Sequence, residues 1–222
     1  MIEAVLFDLD GTLADTALDL GWALNALLAE HDRPPQPFDA IRPIASHGAR
    51  GLIHLGFGID KDHPEFEALR VRFLDLYDTH FAVDTVLFDG VNSMLEGLAE
   101  QGLPWGIVTN KPMRFTDKLV PELGFSVAPQ VVVSGDTVGI AKPDPAPMHF
   151  AAAGLLRLSA ACLYVGDAER DIVAGRVSGM KTVLARYGYI AAHDTPDQWG
   201  ADYSIDSVNE LLTILLKIRV EC

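Results

Sequence analysis

The apolar run Ala4-Val5-Leu6-Phe7 delivers two carboxylates, Asp8 and Asp10, into a Gly11-Thr12 turn. Side chains two apart on a strand share a face, so both acids can reach one reacting group. A carboxylate that attacks phosphorus forms an aspartyl phosphate, and the departing oxygen then needs a proton from a neighbour. The spacing suits Asp8 as nucleophile and Asp10 as proton donor and acceptor. Asp and Gly are also common turn residues, so the pair taken alone also reads as a strand that ends in a turn.

Three further groups follow in order. Thr109-Asn110 closes an apolar run ahead of Lys111-Pro112. A hydroxyl at a strand end, followed by amides entering a helix, can hold phosphoryl oxygens, and the same residues can simply cap the helix. In Ala141-Lys142-Pro143-Asp144-Pro145, Pro143 keeps Lys142 out of the helical region, while Asp144 and Pro145 read as the N-cap and first residue of a helix. Lys142 is then held where its ammonium can balance a nucleophile and a phosphoryl group, although a loop Lys is usually just solvated. Last comes Gly166-Asp167, with Asp171 one helical turn further on. These two acids also read as an N-cap and a solvated helix face.

The elements that must position these groups are short apolar runs rich in β-branched residues: Ala4 to Asp8, Pro104 to Asn110, Gln130 to Gly135, Cys162 to Asp167 and Lys181 to Arg186. Helical periodicity lies between or after them, at Val91 to Gln101, Arg114 to Leu123, Pro145 to Leu156, Ile172 to Met180 and Val208 to Ile218. This alternation predicts a parallel sheet covered on both faces. The stretch 15–82 carries only helical patterns (Leu18 to Glu30, Gly51 to Gly56, Glu65 to Phe81), broken by Pro34, Pro35, Pro37 and Gly56-Phe57-Gly58. It reads as an all-helical insertion that leaves the sheet just after Asp8 and Asp10 and returns near Phe88-Asp89-Gly90. Hinges are expected near Ala14-Asp15 and Phe88-Asp89.

In a parallel sheet the four polar strand ends converge on one edge, where ligands of open α/β sheets bind. Several carboxylates brought together raise each other's pKa, so a cation is needed. Mg²⁺ takes one or two carboxylates with waters and substrate phosphate. Asp8, the Asp10 backbone carbonyl and Asp167 would form the protein's share.

The chain has 222 residues, 49% of them hydrophobic, enough for one domain with an insertion. A formal net charge of -14 argues against nucleic-acid or anionic-membrane partners. No apolar stretch is long enough for a membrane span, and no signal pattern opens the sequence. The two cysteines, Cys162 and Cys222, suggest neither a disulfide framework nor a metal site. A cytoplasmic protein is expected.

With Asp8-Leu9-Asp10-Gly11-Thr12, Thr109-Asn110, Lys142-Pro143 and Gly166-Asp167 with Asp171 in this order, the chain resembles the haloacid dehalogenase superfamily of phosphatases over nearly its whole length. The resemblance implies an α/β, Rossmann-like parallel sheet core (residues 1–14 and 83–222) with an inserted all-helical cap domain (residues 15–82). It also implies Mg²⁺-dependent hydrolysis of a small phosphorylated metabolite. By position, Asp8 attacks phosphorus, and Asp10 protonates the leaving alcohol and then activates water. Thr109 and the amides of Leu9, Asp10 and Asn110 hold phosphoryl oxygens. Lys142 neutralises charge, Asp171 orients Lys142 or a metal-bound water, and Thr12 supports the site. Ala168 departs from the polar residue that many relatives carry there, so an altered outer shell around the metal is expected.

Asp10 argues against a true dehalogenase. A sugar-phosphate mutase shares all four motifs, and a non-catalytic phosphometabolite-binding module is the alternative of another class. Within the superfamily, Ser46 to Arg50, Lys111 to Phe115, Arg186 to Ile190 and Trp199 to Asp202 are similar to phosphoglycolate phosphatases. They are closer still to the related phosphatases of N-acetylmuramic acid 6-phosphate in cell-wall recycling. Arg50 can pair with a substrate carboxylate, which both substrates carry. Tyr187, Tyr189 and Trp199 read as sugar-pocket residues or as packing. His47 and His54 read as surface or cap-interface residues, since no acid or Cys completes a ligand set.

Overall fold

A computed structural model describes residues 1–221, so Cys222 lies outside the described residues. In chain order the elements are β1 (Ala4–Phe7), β2 (Ala14–Asp15), α1 (Ala17–Glu30), α2 (Phe38–Ile41), a 3₁₀ turn (Arg42–His47), α3 (Gly48–Phe57) and α4 (Phe66–Asp78). There follow β3 (Val86–Leu87), α5 (Val91–Glu100), β4 (Trp105–Val108), α6 (Met113–Glu122), β5 (Val131–Val133) and α7 (Ala146–Gly154). The chain continues through β6 (Cys162–Gly166), α8 (Glu169–Val177), β7 (Lys181–Ala185), β8 (Tyr203–Ile205) and α9 (Leu211–Glu221).

A six-stranded sheet runs in the order β5-β4-β1-β6-β7-β8, and every pairing in it is parallel. All residues of β1 are fully buried, which is why the strand reads as a continuous apolar run rather than an alternating one. Val5 and Phe7 point into one layer with Val91, Leu95 and Leu98 of α5 and Leu211 and Leu215 of α9. Ala4 and Leu6 point into the other, with Met148, Ala151 and Ala152 of α7 and Ala174 of α8. The chain adds strands to one side of β1, then crosses to build the other side from β6. The switch point between β1 and β6 is where a doubly wound sheet opens a ligand crevice at its carboxyl edge.

Helices α1 to α4 enclose a second apolar core around Leu24, Leu28, Ile53, Phe73 and Tyr77, joined by Phe115 of α6 and by Tyr189. Where the chain enters and leaves this helical segment, β2 and β3 pair antiparallel, with Ala14 opposite Leu87 and Asp15 opposite Val86. Buried Asp19 of α1 secures the returning strand by accepting the amides of Asp84 and Thr85, each at 3.0 Å. Among the described residues no helix is long and apolar enough to cross a membrane.

The sequence reading missed β2, β3 and β8, which are two or three residues long and too short to carry a period. Helix α8 begins at Glu169 rather than Ile172, because the Asp171 carboxylate accepts the Ala168 amide at 3.0 Å and starts the helix early. Helix α7 begins at Ala146 with Pro145 rather than Asp144 at the N-cap, one residue beyond expectation; the Asp144 side chain, just outside the cap, accepts the Ala146 amide at 2.8 Å. The expected last helix opens as a 3₁₀ turn, Val208–Glu210, before α9.

Candidate active site

The carboxyl ends of β1, β4 and β6 bring the expected residues together around Lys142. Its ammonium is fully buried, 3.1 Å from Asp8 Oδ1 and 2.7 Å from Asp171 Oδ1. It also donates to the Val108 carbonyl at 2.8 Å and the Tyr164 hydroxyl at 2.7 Å. The main chain of Lys142 is clamped by the Asn110 side chain, whose Oδ1 accepts its amide and whose Nδ2 donates to its carbonyl, both at 2.9 Å. Asn110 therefore works through its side chain on the Lys142 loop. The Leu9 amide donates to Asp8 Oδ1 at 2.8 Å, so here it serves the carboxylate.

Asp10 has a lysine of its own. Lys111 Nζ lies 2.9 Å from Asp10 Oδ1 and 4.6 Å from the Tyr77 ring centre, and the Thr16 hydroxyl donates to the same Oδ1 at 2.6 Å. Burial pulls the Lys111 pKa down, but Asp10 and Tyr77 more than offset this and hold it above the usual lysine range.

Asp167 is fully buried at the end of β6. Its Oδ2 accepts the Tyr189 amide and the Ser46 hydroxyl, each at 2.8 Å, and the Thr12 hydroxyl is 3.4 Å from Oδ1. Gly11 (φ +82°) makes this approach possible, since a Cβ there would fall 2.2 Å from Asp167 Oδ2.

Ligand oxygens of Asp8, Asp167 and Asp171 all lie within 4.8 Å of one another. Burial, then Asp171 and Asp8, raise the Asp167 carboxyl to about 7. Burial also holds Asp8 above its ordinary value despite the opposing pull of Lys142. Three buried acids face the cations Lys142 and Arg170, which leaves a negative charge for a further cation to balance. Hard carboxylate oxygens suit a divalent ion. Asp171 already spends Oδ1 on Lys142 and Oδ2 on the Ala168 amide, so Asp8 and Asp167 are the better-placed ligands. Asp171 is fully buried rather than on a solvated helix face.

Asp8, Asp10, Thr109 and Lys142 lie at the floor of a cavity of about 870 Å³. The helical segment forms its roof with Ile44, Leu55, Phe73 and Leu74, together with the exposed cation Arg50. His47 and His54 also line it, and His54 pairs with Asp60 at 3.2 Å. Of the three aromatic residues, none lines this cavity. Tyr187 donates to the Thr12 carbonyl at 2.9 Å and packs on Phe88, Tyr189 donates to Asp15 at 2.7 Å, and Trp199 joins Ile172 and Leu184 in a small core. Their side chains serve packing and hydrogen bonding outside the large cavity.

Lys111, Tyr164, Arg170 and Ser46 were not picked out as site residues by sequence. Lys111 had a signal in its place directly after Thr109-Asn110. Tyr164 had none, being one apolar residue in a buried strand.

A family model described as haloacid dehalogenase-like hydrolase matches residues 5–185. The chain is 42% identical over 221 residues to N-acetylmuramic acid 6-phosphate phosphatase of Pseudomonas aeruginosa, covering 100% of this chain and 98% of that protein. It is 40% identical over 209 residues to phosphoglycolate phosphatase of Xanthomonas campestris pv. campestris, covering 94% of each. Among solved structures, a predicted phosphoglycolate phosphatase from Haemophilus somnus superposes with a TM-score of 0.82 at 24% identity, covering 96% of this chain and 98% of that one. At that identity the likeness concerns the fold alone.

Proposed function

Because the chain belongs to the haloacid dehalogenase-like hydrolase family, we propose that it is a Mg²⁺-dependent phosphomonoesterase acting through a phosphoaspartate on Asp8. The proposed substrate is N-acetylmuramic acid 6-phosphate, with 2-phosphoglycolate as the alternative. The observation that carries this reading is the meeting of Asp8, Asp10, Thr109 and Lys142 at one cavity floor, beside Asp167.

Each acid has one oxygen held. Lys142 and the Leu9 amide hold Asp8 Oδ1, so Oδ2 meets the phosphoryl group. Lys111 and Thr16 hold Asp10 Oδ1, which leaves Oδ2 for proton transfer. In the first step the bond from Asp8 Oδ2 to phosphorus forms, the ester bond breaks, and Asp10 gives its proton to the departing oxygen. In the second step Asp10 takes a proton from water, whose oxygen bonds to phosphorus as the Asp8 bond breaks. Thr109 and the amides of Asp10 and Asn110 would hold the remaining phosphoryl oxygens, and Lys142 offsets their charge. Mg²⁺ held by Asp8, Asp167 and the Asp10 carbonyl would supply Lewis-acid stabilisation of that charge. Thr12 and Asp171 orient Asp167 and Lys142.

Residues 15–82 act in this reading as a cap over the core formed by 1–14 and 83–222, excluding water when seated. The size of the cavity supports the larger substrate. Cavities of about 300–1,000 Å³ hold drug-sized ligands, and about 870 Å³ is far more than a two-carbon phosphoacid needs. The similarity to the Pseudomonas aeruginosa enzyme points the same way, while that to the Xanthomonas protein keeps the alternative in view. Arg50 would pair with the carboxylate of either substrate.

The test is Mg²⁺-dependent phosphate release on one preparation, comparing specificity constants for the two substrates. A large preference for the sugar phosphate supports the proposal. Preference for 2-phosphoglycolate replaces the substrate and keeps the mechanism, and full activity of Asp8→Asn overturns the mechanism.

A further inference from the structure

Ser46 belongs to the helical segment, on the 3₁₀ turn Arg42–His47, yet its hydroxyl donates to Asp167 Oδ2 across the cavity wall at 2.8 Å. The same oxygen accepts the Tyr189 amide from the loop after β7 at 2.8 Å. Two donors from two separate segments fix the rotation of the carboxylate and leave Oδ1 as the oxygen they do not hold. Ser46 is itself seated by its main chain, because the Arg170 guanidinium donates to its carbonyl at 2.6 Å. Four residues earlier, Arg42 donates to the carbonyls of Gly188 and Tyr187, each at 3.3 Å. Ser46 and Arg170 also stand between the large cavity and a neighbouring one of about 240 Å³, which Asp167 lines.

We infer that Ser46 is a positioning residue for the cation. Its hydroxyl sets Asp167 in the ligating orientation, so metal affinity depends on the helical segment being seated on the sheet. The inference rests on the reading of Asp167 as a metal ligand given above. Outer-shell partners of ligating groups are typically worth about 10–100-fold in metal affinity or activity. Linkage makes the effect reciprocal: a cation bound at Asp167 holds residues 42–47 in their seat.

The experiment titrates the full chain with Mn²⁺ alone, without substrate, following the paramagnetic signal of the free ion. It compares wild type, Ser46→Ala, Ser46→Thr and Asp167→Asn, with melting temperatures confirming that each is folded. Ser46→Ala keeps the carbonyl that Arg170 holds and removes only the hydroxyl. Binding is expected to weaken about tenfold in Ser46→Ala, to recover in Ser46→Thr and to be lost in Asp167→Asn. Wild-type affinity in Ser46→Ala alongside lost binding in Asp167→Asn overturns the role of Ser46 and leaves the metal site standing. Wild-type affinity in Asp167→Asn overturns the metal-site reading, and the inference with it. Amide exchange of residues 42–47 gives a readout independent of any variant. Mn²⁺ should slow it in the wild type, and an unchanged rate overturns the coupling.

Discussion

At the floor of the cavity, Lys142 touches Asp8, Asp171, Val108 and Tyr164, all within 3.1 Å, and is wholly buried. Across the same cavity, the roof presents the aliphatic and aromatic surfaces of Ile44, Leu55, Phe73 and Leu74, with Arg50 exposed to solvent. The cations of the roof that are paired, such as Arg70 with Glu67, are paired at the surface, where such contacts contribute little. Buried polar networks must be fully satisfied and so admit one arrangement. Apolar walls tolerate change of shape if volume is kept. In the proposed function the floor would therefore fix the reaction, and the roof would be free to select what is brought to it.

The largest effect should come from the floor. Asp8→Asn is expected to lower phosphate release by at least about 10³-fold, since residues acting as a unit fail together. Its melting temperature should stay level or rise, because burial already disfavours the Asp8 charge. A marked fall in stability would mean that the Asp8 charge holds the fold.

Lys142→Met leaves Asp8 and Asp171 facing each other in the interior and should cost about 3–5 kcal/mol of stability, read by urea unfolding. A loss near zero would show the floor to be less tightly determined than its geometry implies. Lys111→Ala leaves Thr16 as the side-chain partner of Asp10 Oδ1 and should reduce kcat by roughly 10–100-fold, at or below the low end of the about 10²–10⁴-fold typical of general acid–base catalysis. An equal loss in Lys111→Ala and Asp10→Asn would make the lysine indispensable rather than supporting.

A roof substitution should act on choice instead. Arg50→Ala is expected to lower the specificity constant for a carboxylate-bearing substrate about tenfold more than that for p-nitrophenyl phosphate. Equal losses would erase the contrast between floor and roof.

The last effect is a thermal shift that depends on pH. The Asp167 carboxyl is raised from 3.8 to about 7 in the folded chain, so the folded state binds its proton more tightly than the unfolded one. Without metal, the contribution of Asp167 to stability therefore falls as pH rises from about 4 to about 7. A divalent ion competes with that proton, and the rise in melting temperature on adding Mg²⁺ should grow over the same interval. A shift independent of pH would place the ion away from Asp167.

Much of the sheet was legible because β1, β4, β6 and β7 are buried on both faces, or nearly so. Such burial demands runs of apolar residues that no surface element needs. The helical insertion was legible for the same reason, through its periodicity. Strands β2 and β3 were not, since a pair held by two registered partners leaves no pattern in sequence. Asp8, Asp10 and Asp167 announced themselves because carboxylates at the ends of apolar runs are costly without a purpose, and Asp171 by lying one helical turn beyond Asp167. Lys111 had only its place after Thr109-Asn110 to mark it and Ser46 had no such sign, because a Lys or Ser in a loop is ordinary until its neighbours are known.

By itself the sequence determined which residues end the strands and in what order, and therefore which acids and which lysine meet at one sheet edge. That follows from local burial and from the fixed sense of parallel connections. Only the tertiary structure decided which oxygen of each acid is held, that Asp10 has Lys111 beside it, and that Tyr189 and Trp199 pack rather than line the large cavity. It also decided that a hydroxyl from the helical segment reaches Asp167. The physical reason is separation: Ser46 lies 121 residues from Asp167 and Lys111 lies 101 from Asp10, and contacts at that distance are set by packing of whole layers, which no short run of residues encodes.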